Sequence, residues 1–251
     1  MEKLPVEEIR KLAEKVAVGK LAPHASEIDQ NRAFPWENIC ALREAGFHRL
    51  ITDEKEGGMG YGRIAFASTV KEIAKACAST ALIYVSHSIA AKAIEYGGSE
   101  TTKKTFLSEM LKGRGLGASA VHEPDSGSNS GAITTRAKKG GSSYIVNGSK
   151  FFITSAGEAD LYLVLVRTDP EKGPQGMSTL LIEKDTPGLS FCRSEDKMGL
   201  RSTSSREMSR PSPCLMEVTT SPEHPPGMTS ASSASIRRSA PSMTLWNTGA
   251  D

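Results

Sequence analysis

The sequence predicts an α+β protein: an all-helical first region, a small antiparallel β-barrel or sandwich after it, and an irregular C-terminal tail. Three observations carry this. Apolar residues recur at helical spacing as far as about residue 113. From about residue 116 to residue 208 the pattern becomes one of short, closely spaced strands punctuated by Gly, Asn and Pro. Beyond that point Ser, Thr and Pro dominate, lysine is absent and no period survives. The corresponding division of the chain is 1–113, 114–208 and 209–251.

In order, Val6, Ile9, Ala13 and Val16 form a first helical stripe, widened by Leu12, with Pro5 at the entry and Pro23 as the expected end. Pro35 opens a second helix, with Trp36, Ile39 and Leu42 on one face and Gly46 as its stop. The glycine-rich loop TDEKEGGMGYG is too broken for regular structure. Phe66, Val70, Ile73 and Cys77 then mark a helix from Arg63 to about Ala78. A more apolar helix, Ala81–Glu95, follows Ser79 and Thr80 as candidate caps and stops at Gly97-Gly98. Its stripe of Leu82, Val85, Ile89 and Ala93 is expected to lie inside a bundle. His87 within it reads as a satisfied or solvent-facing histidine rather than a ligand or base. Ser99 is placed to cap a last helix carrying Phe106, Met110 and Leu111.

Strands are expected at Ile133–Lys138, Ser143–Val146, Lys150–Thr154, Leu161–Val166, Ser178–Ile182 and Leu189–Arg193. Asn147-Gly148 is a type I′ hairpin signal joining the second and third of these, and Gly140-Gly141 marks another tight turn. With 31 basic against 29 acidic residues, nothing points to a nucleic-acid surface. Cys40, Cys77, Cys192 and Cys214 are scattered without a C-x-x-C pair, which argues for reduced thiols over disulfides or a zinc site. The acidic start lacks the pattern of a secretory or transit peptide, and no apolar run reaches the roughly 20 residues of a membrane span. These features fit a soluble protein of the cytoplasm.

Two stretches carry candidate chemistry: AVHEPDSGSNSG at Ala120–Gly131 and KFFIT at Lys150–Thr154. Small residues at 127–128 and 130–131 leave backbone N–H groups uncovered, and Glu123-Pro124 stiffens the approach to them. The second stretch offers aromatic surface beside a hydroxyl. Such a combination suits a tricyclic ring with polar edges, whereas an ordinary β-sheet loop is the plainer alternative.

Ala120–Asn129 resembles the flavin-site signature of the acyl-CoA dehydrogenases, and KFFITSAGEADLYLVLVRTD resembles that family's following strand pair. EGGMGYG, VNGSK and DKMGLRSTSSRE agree as well, in order, as far as about Met208. The resemblance implies the family's helical and middle β-domains, FAD as cofactor, and α,β-dehydrogenation of an acyl-CoA thioester. It also implies an electron-transferring flavoprotein as electron acceptor and, for full-length members, a homo-oligomer; the mitochondrial matrix is the alternative location. Carried over residue by residue, it implies flavin contacts from Ser119, Val121, His122, Gly127, Ser128, Phe152, Ile153 and Thr154, with Ser128 also bordering the substrate cleft. His122 departs from the family's Ser or Thr, and Asn129 from its Asp.

After Met208 the similarity stops within one motif. The family's C-terminal helical bundle, which supplies the glutamate base in most members, has no counterpart in Ser209–Asp251. No catalytic residue is therefore assigned, and Glu123 is given a structural role in its turn. The expectation for the tail is a shifted reading frame, with genuine disorder as the alternative. The chain would then be a truncated product whose activity is in question.

Overall fold

The computed structural model describes residues 3–140, 143–194, 197, 200, 206–209 and 245–247. Helix α1 (Val6–Val16) has Glu7 and Glu8 in its first turn and Lys15 in its last, matching charge to the helix dipole, and buries Ile9 and Ala13. Pro23 does not end the helical path. The chain widens through Ala17–Leu21 and tightens through Ala22–His24 before α2 (Ala25–Asn31). Pro23 stands at the start of the tight segment, where its missing N–H costs no bond within the helix. Helix α3 (Trp36–Glu44) turns its Ile39 and Leu42 inwards. The Thr52–Gly62 loop holds one short tight turn, Glu54–Glu56. Helix α4 (Arg63–Ala76) packs between α1 and the long α5 (Ala78–Gly97). A last helical stretch runs through Glu100–Thr102, Lys103–Leu107 and Ser108–Leu111, with the Ser99 hydroxyl accepting the Thr102 N–H at 3.2 Å.

Helix α5 differs from the sequence expectation in two respects. It starts at Ala78, so Ser79 and Thr80 lie inside it rather than capping it. Thr80 has other partners: its hydroxyl accepts from Asn38 Nδ2 at 2.9 Å and donates to Cys77 Sγ at 3.1 Å. The buried face carries Ile83, Tyr84, Ala90, Ala91 and Ile94, while Ile89 of the expected stripe is 50% exposed. The helix is apolar almost all round, so polar contacts set its rotation. Ser86 and His87 must meet the first strand, and they turn Ile89 away.

The strands are β1 (Gly117–Ala120), β2 (Arg136–Gly140), β3 (Ser143–Asn147), β4 (Lys150–Ile153), β5 (Leu161–Arg167), β6 (Met177–Glu183), β7 (Ser190–Ser194), β8 (Arg206–Ser209) and β9 (Leu245–Asn247). One sheet has the order β3-β2-β5-β6-β9, with β1 also on β5; the other has the order β4-β8-β7. The sheets share a core of Tyr144, Val146, Tyr162, Val164, Leu180 and Ile182 from the first and Ile153 from the second. Phe191 of β7 packs against Tyr162 with ring centroids 5.1 Å apart. This is the sandwich form of the expected fold, and the first sheet does not close into a barrel. Its pairing is mixed: β1 and β2 lie end to end on one edge of β5, both parallel to it. The long excursion from Val121 to Asp160 lets the chain return in the same direction. Within the tail, β9 pairs with Ser178–Leu180 and Ser209 completes β8. The rest of 209–251, the frameshift expectation for it and Gly141 lie outside the described residues.

The Asn147-Gly148 hairpin is not formed. Strand β3 pairs with β2, whereas β4 pairs with β8 in the other sheet, so the dipeptide is a corner between sheets. Gly148 has φ +150°, and a Cβ there would lie 2.6 Å from Thr135 Cα. The glycine is needed for close backbone approach, not for a mirror-image turn. Gly148→Ala is expected to cost about 1–3 kcal/mol, read as a lowered urea midpoint with an unchanged m-value. Gly127→Ala, whose Cβ would meet nothing within 4 Å, should leave the midpoint unmoved.

Candidate functional site

The site is built on a carboxylate and an ammonium that share one buried space. Glu123 Oε2 accepts the Thr134 N–H and Oγ1, each at 2.7 Å. Its Oε1 accepts the Thr135 N–H and Lys150 Nζ, each at 2.9 Å. Lys150 donates a further bond to the Val121 carbonyl at 3.0 Å. The two side chains are 4% and 1% exposed, so neither charge could persist without the other. Burial pushes the Glu123 carboxyl up, but the bonds from Thr135, Lys150 and Thr134 outweigh it and hold it at about 2. Burial lowers the Lys150 ammonium, and Glu123 opposes that effect.

Strand β4 is anchored at both ends of four residues, which strict alternation forbids. Lys150 and Ile153 are both buried, yet three positions apart they belong on opposite faces. A β-bulge resolves the conflict: Lys150 pairs with Met208 and Ile153 with Arg206, so one residue more lies on β4 than on β8. The extra residue takes a left-handed conformation at Phe152, φ +52°. Phe152 is thereby turned out of the core and is 55% exposed, with its ring edge-on to Phe151 at 4.5 Å. The Phe151 N–H donates to the His122 carbonyl at 2.8 Å, sewing β4 to the Val121–Glu123 segment.

The structure therefore brings Val121 and His122 together with Phe152, Ile153 and Thr154. Val121 is half-buried and His122 exposed, each with its carbonyl committed to β4. Ile153 is in the core, so only its backbone can serve a ligand. Thr154 is half-buried, and its hydroxyl has no protein partner among the described residues. Ser119 lies on β1 with its N–H on Ser86 Oγ at 3.2 Å and its own hydroxyl directed to the Ser86 carbonyl at 3.5 Å, towards α5. Gly127 and Ser128 are exposed in a loop closed by the reciprocal Glu123–Ser126 bonds and by Ser126 Oγ on the Asn129 carbonyl at 2.7 Å. No hydrogen bond among the described residues joins them to β4, and their N–H groups have no protein acceptor there. Free donors, an outward aromatic and an unpaired hydroxyl fit a flat ring with polar edges. Lys150 stood in the candidate stretch without a role of its own, and Thr134 and Thr135 escaped the sequence reading. A lysine opening an otherwise apolar strand was the available signal, because such a lysine is buried only with a partner.

Fold and site together give a helical region joined to a β-sandwich whose bulged strand lies beside the Val121–His122 segment. Residues 6–114 match the family described as acyl-CoA dehydrogenase, N-terminal domain, and residues 118–210 match acyl-CoA dehydrogenase, middle domain. The chain belongs to the acyl-CoA dehydrogenase family. It is 38% identical over 189 residues to the mitochondrial isobutyryl-CoA dehydrogenase of Dictyostelium discoideum, covering 75% of this chain and 45% of that one. The structure of butyryl-CoA dehydrogenase from Megasphaera elsdenii superposes with a TM-score of 0.76 at 32% identity, over 84% of this chain and 57% of that one. The FAD complex of PigA superposes at 0.78 and 25% identity, over 86% and 59%. The chain spans about half the length of the curated relatives it matches.

The pair makes stability depend on pH in a definite direction. Because the Glu123 carboxyl is held at about 2 against an ordinary 4.5, its contribution is complete above pH 4.5 and is lost as pH falls from 4.5 to 2. Glu123→Gln should remove that part of the acid dependence in urea titrations. It should also cost about 3–5 kcal/mol at pH 7 by leaving Lys150 buried and unpaired.

Proposed function

We propose that this chain is an FAD-dependent acyl-CoA dehydrogenase acting in α,β-dehydrogenation of an acyl-CoA thioester, of fatty-acid or branched-chain type. The observation that carries the reading is the bulged β4, which turns Phe152 outwards beside Thr154 while its Lys150 is tied to the Glu123 loop. Backbone N–H groups at Gly127 and Ser128, the Thr154 hydroxyl and the Phe152 face would hold the flavin, with Ser119, Val121, His122 and Ile153 completing its border and Ser128 reaching the substrate. FAD, when bound, supplies the hydride acceptor. The protein's part is to orient the ring, exclude water from one face and meet its polar edge with fixed donors. Partners on this reading are acyl-CoA, an electron-transferring flavoprotein and further copies of the chain. The location is the cytoplasm, with the mitochondrial matrix as alternative. No helix among the described residues is long and apolar enough to cross a membrane. The same reading divides the chain at 113/114 and 208/209.

A second reading, a catalytically inactive chain that retains flavin or acyl-CoA binding, is favoured by one observation. The carboxylate at the centre of the site, Glu123, is fully engaged by hydrogen bonds and holds no lone pair free to take a substrate proton. The visible spectrum of the full chain after desalting separates the two. Bound yellow flavin that bleaches on adding butyryl-CoA supports the dehydrogenase; bound flavin that does not bleach supports the binding-only chain; colourless protein that takes up no added FAD overturns both. Phe152→Ala should weaken FAD binding roughly tenfold through lost stacking, measured by fluorescence titration, with the urea midpoint little changed because the side chain is 55% exposed.

A further inference from the structure

Away from this site, two imidazoles converge on a small cavity where the helical region meets β1. His87, on α5, is buried, and its Nδ1 accepts the Gly117 N–H at 3.1 Å. An imidazole nitrogen that accepts from a backbone N–H carries no proton, so in the neutral ring Nε2 bears the hydrogen. His48 shows the complementary arrangement. Its Nε2 lies 2.7 Å from the Leu111 carbonyl, which can only accept, so Nε2 carries the proton and Nδ1 presents a lone pair. The two remaining atoms, His87 Nε2 and His48 Nδ1, are buried and have no hydrogen-bond partner among the described residues. They are one donor and one acceptor.

Both histidines line the same cavity, of about 20 Å³, with Arg43, Tyr84, Ile83 and Leu116 among its walls. A water needs about 10–15 Å³ of such space and two to four polar partners. The Tyr84 hydroxyl is engaged elsewhere, donating to the Phe47 carbonyl at 3.0 Å. We propose that this cavity is the binding site of a single structural water, which accepts from His87 Nε2–H and donates to His48 Nδ1. The result is a continuous polar chain from the Leu111 carbonyl through both rings to the Gly117 N–H. It latches the end of the helical stretch to the first strand. A metal ion does not suit the site, because His87 Nε2 bears a proton. Burial lowers both imidazoles, His87 to about 3, with Arg43 and each other's proximity adding to the effect on His87, and this keeps the donor-acceptor complementarity intact at neutral pH.

Heteronuclear NMR on the full chain at pH 7 tests this directly. Both histidines should be Nε2–H tautomers, and the His87 Hε2 resonance should show a cross-peak to a water proton of long residence. In His48→Phe the acceptor is gone and the ring occupies the space, so the His87 tautomer should persist while the water cross-peak disappears. A wild-type His87 carrying its proton on Nδ1, or a His87 Hε2 with no water cross-peak, overturns the proposal whether or not the variant folds. So does a direct imidazole–imidazole coupling, or a water signal that survives unchanged in His48→Phe.

Discussion

The Glu123–Lys150 pair is the constraint on which the β-region depends. Two charges removed from water are tolerable only if each is neutralised and held by good hydrogen bonds. Five bonds achieve that here, and they reach four separate pieces of chain: Val121, Glu123, Thr134-Thr135 and Lys150. None of the four can shift without stranding a charge. The pair fixes where β4 begins, hence which sheet it joins and how many residues separate it from Ile153. Sheet membership, the bulge and the outward ring at 152 all descend from it.

That dependence explains how much could be read from the residues. Helices α1, α3 and α4 announced themselves by apolar spacing because one face of each is buried against neighbours. Strands β2 to β7 were found because their runs are short and bounded by turn residues, whereas β1, β8 and β9 were not foreseen. What failed was decided by tertiary partners. Asn147-Gly148 has the local chemistry of a hairpin, but Lys150 is drawn towards Glu123, and that pull outweighs the turn's preference. The bulge in β4 leaves no local mark, since it follows from the burial of both Lys150 and Ile153. On α5 the wrong stripe was chosen because nearly every face is apolar. Only the bonds from Ser86 and His87 to β1 select one, and those are invisible before the strand is placed. Of the candidate site, the Glu123 segment and the aromatic strand stood out by motif; the charge pair that ties them together did not.

The join between the helical and β regions is polar as well as packed. A Cβ on Gly117 would sit 2.7 Å from Met110 Cε and 2.8 Å from Ala90 Cβ, so the first strand runs directly against the helices. There Ser86 and His87 receive the N–H groups of Ser119 and Gly117. Residues that begin β1 are thus registered against α5 before the chain reaches Val121 and the candidate cradle. The helical region acts as a template for the strand from which the loop departs.

The left-handed backbone at Phe152 has a thermodynamic corollary. Folding sets the Cα–Cβ direction in advance, so an arriving partner meets an aromatic already turned outwards and need not rearrange the backbone to reach it. The cost of that backbone conformation belongs to the folding equilibrium, and encounter affinity is correspondingly spared.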